Sequence, residues 1–404
     1  MSDQKIFGAR VAALRKERKL SQKDLGAELG RSESWVSQVE RGVLPVDRLS
    51  TLQTLADALE VSVLDLRSDA VEPPEDGPAE PGSDLDGIRL ALTGYPGIAT
   101  LLEDSAPADE RPIDELREHV DRLWELAHAS AFSEIGEELV TLIPMLERRV
   151  RRSAATDAEH EVLAQVYQVT AAVLARQDEA DAAWVASDRA IAAAGRSGQP
   201  LEVVAGTFRL AHTFLRVQRP EQAEYAASEA IRALQPKLDD GSLSTEGKSL
   251  YGALQLVRAV ISSREGDRSA THRWLDQARA VAGDVGPGRS DFGTEFGPAN
   301  VEIHAVTASV DLGDAGMALD LAEQIDTSEL SAERRSRLLL DKARAYTQRR
   351  QVGEAVAALL EAEELAPEQI RSHPLARQAI RDLMQISRRT PVDLQELAQR
   401  ATVA

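Results

Sequence analysis

The chain has 404 residues, a net charge of −20 and no cysteine. The lack of cysteine excludes disulfides, thiolate nucleophiles and cysteine-ligated metals, and it favours a cytoplasmic protein. No apolar run approaches about 18 residues and the first ten residues have no apolar core, so we expect neither a membrane helix nor a signal peptide.

The charge is unevenly distributed along the chain. Residues 1–67 carry a net charge of +1, residues 5–31 carry +5, and the remaining chain carries −21. An acidic body of this kind repels nucleic acid, so any contact with DNA is left to the first segment. Low aromatic content and abundant alanine favour helix, and the spacing of apolar residues predicts an all-α fold.

The first 67 residues contain five predicted helices, at about 6–19, 22–29, 33–41, 48–59 and 63–66. Ser21 and Ser32 are predicted N-caps of the second and third helices, and Gly30 interrupts the chain between them. Two short helices joined by a tight glycine-containing turn are typical of a DNA-binding helix-turn-helix, although an ordinary helical hairpin has the same outline.

The predicted third helix has two distinct faces. Val36 and Val39 share one face and should pack against Leu25 and Leu29 of the second helix. The DNA-binding prediction covers the opposite face and the two helix starts: Gln22, Ser32, Glu33, Ser34, Ser37, Gln38 and Arg41. Gln38 can pair with adenine, and Glu33 can accept from cytosine or simply favour the helix N-terminus. Gln22 and Arg41 are expected to meet phosphate.

Residues 68–86 contain seven acids, no base and four prolines, which predicts a solvated linker. The predicted domains are therefore a DNA-binding domain at 1–67, this linker, and a helical region at 87–404. That region shows an internal repeat, in which a small residue is followed by small residues 12 and 19 positions later. The sets are Ala171/Ala183/Ala190, Ala211/Ala223/Ala230, Ala259/Thr271/Ala278 and Ala343/Ala355/Ala362. Regions 112–152 and 298–326 are expected to supply further, degenerate helix pairs.

Stacked helix pairs present the first helix of each pair on a concave face. The position five residues after the first small residue holds Arg176, Arg216 and Arg264, with Asp311 at the degenerate repeat. These arginines can bind a carboxylate, a phosphate or an acidic peptide, or they can complement helix dipoles. Asn300, the only asparagine of the chain, and His304 lie four apart in 291–306 and can hold a ligand amide or merely stabilise the preceding loop.

Residues LSQKDLGAELGRSESWVSQVERG resemble the helix-turn-helix of lambdoid phage repressors and Xre-type bacterial regulators, and LSTLQTLADALEVSVLDL resembles their last two helices. The resemblance implies a five-helix DNA-binding domain. It also implies that Gln22 binds phosphate, that Ser32 caps the recognition helix, and that Glu33, Ser34, Ser37 and Gln38 face bases. A structural ion pair between Arg15 and Glu40 is implied as well.

The alanine repeat resembles tetratricopeptide repeats. Its combination with a helix-turn-helix resembles the peptide-pheromone-sensing regulators of Gram-positive bacteria, which grip a peptide with several asparagines. The resemblance suggests a quorum-sensing-like regulator. A homodimer joined mainly through the repeat region is expected because a lone small helix-turn-helix makes few contacts. A peptide, small-molecule or protein effector is expected at the residues that the repeat position and the 291–306 segment single out: Arg176, Arg216, Arg264, Asn300 and His304. The chain departs from this family in having one asparagine, and its alanine-, arginine- and aspartate-rich, lysine-poor composition is typical of a GC-rich, actinobacterial genome.

Three function classes compete. The first is a transcription regulator that binds double-stranded DNA and responds to an effector. The second is an interaction scaffold that the small domain tethers to DNA. An enzyme is not expected, because no P-loop, G-x-S-x-G, H-E-x-x-H or GxGxxG motif is present. No cofactor is expected, and no histidine pair has the spacing of a metal site.

Overall fold

The computed structural model describes residues 3–29, 33–40, 54–56, 58–59, 61, 84–93, 111–151, 155–387 and 390–403. These residues form helices and no strand, so the protein is all-α as predicted. The contacts divide the chain into two compact units, residues 1–81 with residue 404, and residues 82–403. No described helix is long and apolar enough to cross a membrane.

The N-terminal unit begins with α1 (Asp3–Glu17), α2 (Gln22–Glu28) and α3 (Glu33–Glu40). Ser21 caps α2 as predicted: its hydroxyl accepts from the Asp24 amide, and the Asp24 carboxylate accepts from the Ser21 amide. Residues 54–56 and 58–59 are helical, inside the predicted fourth helix. Gly30 and the predicted fifth helix lie outside the described residues.

A small apolar core holds these helices together. Its fully buried members are Val11, Leu25, Val36, Val39, Leu55, Ala56 and Leu59. The predicted packing of Val36 and Val39 against Leu25 is therefore confirmed, and the described part of the fourth helix supplies the last three members. One side of α3 is therefore buried, and the same short helix carries four of the residues predicted to contact DNA.

The C-terminal unit contains sixteen α-helices in its described residues. They are α4 (Asp84–Thr93), α5 (Ile113–His128), α6 (Phe132–Val150), α7 (Asp157–Arg176), α8 (Ala180–Ser197), α9 (Pro200–Arg216), α10 (Pro220–Asp239), α11 (Thr245–Arg264), α12 (Arg268–Val285), α13 (Pro298–Asp311), α14 (Ala315–Ala322), α15 (Ala332–Gln348), α16 (Val352–Leu365), α17 (Pro367–Ser372), α18 (Pro374–Ile386) and α19 (Val392–Arg400). α4 begins within the last three residues of the predicted linker, and residues 68–83 lie outside the described residues.

Six helix pairs share one connection geometry. The pairs are α5/α6, α7/α8, α9/α10, α11/α12, α13/α14 and α15/α16, each joined by three residues. The middle residue of every connection has a positive φ, and the amide of the third donates to a carbonyl five residues earlier. This is the hydrogen bond of the Schellman helix ending. The two degenerate pairs expected at 112–152 and 298–326 are therefore present and built like the others.

The small residues of the sequence repeat lie where the paired helices touch. All four predicted sets, from Ala171 to Ala362, are buried. An alanine or threonine at such a contact lets two helix backbones approach closely, which a longer side chain would prevent. The small residues of the sequence repeat therefore mark the positions at which the second helix of each pair packs on the first helix of that pair.

The two ends of the array also touch. The Ser130 hydroxyl, between α5 and α6, donates to the Gln369 side chain on α17 at 3.0 Å, and the Ser133 amide donates to Glu368 at 2.9 Å. α5 also contacts α15. The concave face of this unit is therefore closed by its own last helices, and the first helix of each pair faces an interior space.

Candidate nucleic-acid interface and effector cavity

A buried ion pair joins the first and third helices of the N-terminal unit. Arg15 Nε donates to Glu40 Oε1 at 2.5 Å and Nη2 donates to Oε2 at 3.1 Å, while Nη1 donates to the Leu20 carbonyl at 2.7 Å. The two side chains are 10% and 7% exposed. The predicted Arg15–Glu40 pair is confirmed, and it fixes α3 relative to α1 and to the turn before α2.

Gln22, the first residue of α2, belongs to the same network. Its Nε2 donates to Glu40 Oε2 at 2.6 Å. Burial opposes ionisation of Glu40, but the hydrogen bonds from Arg15 and Gln22 outweigh it and lower the pKa of the Glu40 carboxyl. A carboxamide nitrogen has two N–H groups, so Gln22 retains one donor at the helix N-terminus, where backbone phosphates bind.

The other predicted DNA-contacting residues are only partly described. Glu33, Ser34, Ser37 and Gln38 lie on α3, and Ser37 is half-buried. Ser32 and Arg41 fall outside the described residues. The structure therefore describes the helix that carries the predicted base-facing positions and the network that orients this helix.

An arginine-lined cavity occupies the interior of the C-terminal unit. Its volume is about 130 Å³, and the first helices α7, α9, α11, α13 and α15 contribute to its wall together with α17 and α18. Six arginines line it: Arg176, Arg209, Arg216, Arg264, Arg334 and Arg337. Glu333 and Asp341 are the acids of the wall, and His212 and His373 are its histidines. We call this space the arginine cavity.

Three of these arginines have ion-pair partners. Arg176 lies 3.7 Å from Glu333, and Arg334 lies 3.3 Å from Glu333 and 3.2 Å from Glu295. Arg264, which is 45% exposed, lies 3.8 Å from Asp311. The Asp311 position of the repeat thus carries the partner of an arginine at the same position of the preceding pair.

The other three arginines have no carboxylate within ion-pair distance among the described residues. Arg209 donates to the Phe292 carbonyl and lies over the Trp124 ring at 4.7 Å. Arg216 Nη2 lies 3.0 Å from His373 Nε2. Arg337 has no hydrogen-bond or ion-pair partner in the part of the chain that the structure describes. Asp341 is held instead by Arg344 at 2.8 Å and by the Thr307 hydroxyl at 2.6 Å.

Asn300 does not share this cavity. It lines a second cleft of about 850 Å³ together with Pro287, Phe296 and Leu330, and its buried Oδ1 has no hydrogen-bond partner. His304 lies one turn further along α13, and its buried Nδ1 has no partner either. The five predicted effector residues are therefore divided: the three arginines line one cavity, Asn300 lines another, and His304 lines neither of the two.

A comparison with protein families identifies the N-terminal unit. A family model described as a helix-turn-helix domain matches residues 6–69. The comparison with curated proteins found no match. The N-terminal unit is a helix-turn-helix domain. It supports a DNA-binding regulator in general, with α2 and α3 as the two helices of the motif.

The arginine cavity has unusual electrostatics for an acidic chain. Burial and then the neighbouring Arg337 and Arg264 lower the pKa of Arg216 to about 10. Burial raises the pKa of the Glu333 carboxyl, but Arg334 and Arg176 outweigh it and lower the value to about 2. Burial and the surrounding arginines hold the pKa of His212 and His373 well below the ordinary value of 6.5. The wall is thus cationic, with neutral histidines.

Sequence reasoning missed half of the cavity's arginines. Arg209 precedes Arg216 by two helical turns on α9, while Arg334 and Arg337 lie one turn apart on α15. The repeat position used for the prediction selects a single residue per first helix. A search for basic residues two and three turns before that position, which is Gln348 on α15, would have found Arg209 and Arg337.

Proposed function

We propose that the protein is a sequence-specific transcription regulator that acts in the cytoplasm, has no catalytic activity, and couples DNA binding to an effector. The observation that carries the DNA-binding part is the Arg15–Glu40–Gln22 network, which orients both helices of the matched helix-turn-helix. The proposal also includes the tetratricopeptide-like character of the repeat unit and its role in forming a homodimer.

The proposed DNA contacts divide into two kinds. Glu33, Ser34, Ser37 and Gln38 read base edges in the major groove, with Gln38 on adenine. Gln22 and Arg41 bind phosphate and set the position of the recognition helix, which Ser32 caps. Glu40 orients Gln22 by accepting one of the two hydrogens of its side-chain amide, and the other hydrogen is left to bind the phosphate.

Selection from random duplexes followed by binding measurements tests this proposal. Gln38→Ala should weaken binding to the selected site by about 1–3 kcal/mol and relax the preference at one base pair. Gln22→Ala should weaken selected and random duplexes equally. If wild type and both variants bind selected and random duplexes with equal affinity, the protein is not a sequence-specific DNA-binding protein.

A dimer is proposed because a single small helix-turn-helix makes few contacts, and two half-sites about one turn apart supply both affinity and specificity. We expect the acidic, proline-rich linker predicted from the sequence at 68–86 to let two DNA-binding domains adjust their spacing. Sedimentation should therefore show a dimer at micromolar concentration. A monomer both free and bound to DNA contradicts this part of the proposal alone.

An effector site in the repeat unit is proposed on the strength of the arginine cavity. Its wall contains more cations than acids, and it draws residues from seven helices, so a bound ligand can favour one arrangement of those helices over another. A peptide, a small ligand or a protein partner remains a candidate effector under this proposal. Reciprocal coupling provides the test: an effector that changes DNA affinity must have its own affinity changed by DNA to the same extent.

A second candidate function is a scaffold tethered to DNA. One observation favours it: the outer surface of α8–α10 exposes apolar side chains, with Trp184 48% and Tyr225 70% exposed beside the half-buried Phe214. Exposed apolar clusters mark interaction surfaces. A protein that co-purifies with the full chain and is lost on Tyr225→Ser, with the DNA affinity unchanged, would favour the scaffold.

A further inference from the structure

We propose that the arginine cavity binds a small oxyanion of the phosphate type that carries at least two negative charges. This inference rests on the proposed effector function and names the ligand class of that site. The binding itself is measured without DNA, so that it can fail or succeed independently of DNA recognition.

The first argument is the charge of the wall. Six arginines and two acids line the cavity, and the nearby Glu295 and Asp311 each pair with one of the arginines. Asp341 is already held by Arg344 and Thr307. Among the described residues, the guanidinium groups of Arg209, Arg216 and Arg337 are left without a carboxylate within ion-pair distance. Buried charges are normally paired, so an unbalanced cationic interior indicates a missing anion.

The second argument is a contact between two hydrogen-bond donors. The His373 Nδ1 accepts from the backbone amide of Leu375 at 3.2 Å, where it caps α18. A neutral imidazole has one N–H, which must then be on Nε2. That N–H faces Arg216 Nη2 at 3.0 Å, so two donors meet without an acceptor. An anionic oxygen beside them accepts from both and removes the conflict.

The third argument is an unsatisfied donor in a built wall. Arg209 is 7% exposed and its Nε has no partner, although Nη2 is held by the Phe292 carbonyl and the ring of Trp124 supports the guanidinium. The Nη1 of Arg176 is likewise buried and has no hydrogen-bond partner in the part of the chain that the structure describes. Guanidinium groups held in fixed positions match the tetrahedral oxygens of phosphate, which they bind through paired N–H groups.

The size and closure of the cavity select a small ligand. About 10–15 Å³ of such volume suffices for one water molecule, so about 130 Å³ accommodates a group of several heavy atoms. An extended peptide needs an open groove, but the contacts of Ser130 with Gln369 and of Ser133 with Glu368 close the concave face. Arg264, at 45% exposure, marks the side from which a small anion reaches the interior.

The same geometry gives the anion a regulatory effect. The unpaired arginines come from α9 and α15, which belong to different helix pairs and meet across the interior. An anion between them replaces repulsion by attraction and so stabilises the closed arrangement of the array. Without it, the like charges favour separation of the α9/α10 pair from the α15/α16 pair.

The test is binding of inorganic phosphate and pyrophosphate to the full chain, by titration calorimetry and thermal melting, with chloride at matched ionic strength as the reference. We expect both oxyanions to raise the melting temperature above that in chloride. Arg337→Gln should weaken their binding at least about tenfold, since it removes a charge-assisted contact. The matched control is Arg232→Gln on α10, an exposed arginine paired with Glu229, which should bind as wild type does.

Folding of the variant is checked by the same data. Because Arg337 has no hydrogen-bond or ion-pair partner within the described ranges, Arg337→Gln in chloride should melt no lower than wild type. An equal response to chloride and to both phosphates overturns the proposal, as does an Arg337→Gln variant that binds them unchanged. A stoichiometric heat with an acidic peptide or a dicarboxylate but none with either phosphate also overturns it, because the ligand class would then be wrong.

Discussion

The Arg15–Glu40 pair shows how one residue contact determines the geometry of a recognition helix. Glu40 is the last residue of α3, Arg15 lies on α1, and Gln22 begins α2, so a single carboxylate joins three helices. Sequence reasoning placed this pair from a family resemblance. It did not predict that Gln22 would use one of its donors on Glu40, because only the folded positions of α2 and α3 bring those side chains together.

Glu40→Ala is predicted to destabilise the N-terminal unit by about 3 kcal/mol, because it leaves the buried guanidinium of Arg15 unpaired. Native-state hydrogen exchange of the α1 and α3 amides in the full chain measures this change. Glu28→Ala, an exposed acid on α2, is the control and should have little effect. Unchanged protection of α3 in Glu40→Ala would mean that the pair adds nothing to stability.

Gly8 permits the closest approach between α1 and α3. A Cβ atom at this position would lie 2.4 Å from the Val39 carbonyl oxygen and 2.6 Å from that of Glu40. Gly8→Ala must therefore push the helices apart, and we predict a loss of about 1–3 kcal/mol together with weaker DNA binding.

Gly195→Ala is the matched comparison for Gly8→Ala. Gly195 lies on α8, and apart from its own stretch of helix no described atom comes within 4 Å of the added Cβ, so the substitution should stabilise by about 0.5–1 kcal/mol through helix propensity alone. Both changes are read by denaturant unfolding. The close approach is disproved if the two variants shift stability in the same direction.

At the scale of elements, the helix pairs were predictable but their connections were not. The alanine spacing gave the pairs, since small residues at a helix contact leave a periodic trace in the sequence. The residue with a positive φ in each connection is recognisable from the sequence only where it is a glycine, at Gly266 and Gly313. The other four connections have Ser130, Asp178, Gln218 and Arg350 at that position, residue types that carry no turn signal of comparable strength.

This geometry predicts opposite effects for two glycine substitutions. Gln218 has a φ of 56° between α9 and α10, so Gln218→Gly relieves left-handed strain and should stabilise the C-terminal unit by up to about 1 kcal/mol. Gln222→Gly, four residues later in the first turn of α10, should destabilise by about 0.5–1 kcal/mol. Thermal melting of both variants checks this, and equal losses in the two would argue against the shared turn.

At the scale of the molecule, the cavity shows why a site built by long-range packing is hard to predict. Arg216 was found because it repeats in register with Arg176 and Arg264. Arg337 was missed because it lies more than a hundred residues along the chain and meets Arg216 only where the array closes. The closure of the concave face depends on single contacts, such as that of Ser130 with Gln369, which no periodic pattern in the sequence predicts.

The buried histidines of the C-terminal unit predict how its stability depends on pH. Burial and the nearby arginines hold the pKa of His212, His304 and His373 well below 6.5, whereas the unfolded chain binds protons at the ordinary value. Between about pH 6.5 and 5.5 the unfolded state therefore binds more protons than the folded state, and stability falls as the pH falls. Each histidine that stays neutral in the folded state contributes up to about 1.4 kcal/mol per pH unit. The Glu333 carboxyl, whose pKa is about 2, causes no loss of stability until the pH approaches 4.5.

Denaturant unfolding at pH 7.5, 6.5 and 5.5 should show that the stability of His304→Gln changes less with pH than that of wild type. The control His272→Gln, at an exposed position on α12, should keep the full slope. A stability that stays constant or rises from pH 6.5 to 5.5 would show that these histidines are protonated in the folded protein, contrary to the prediction.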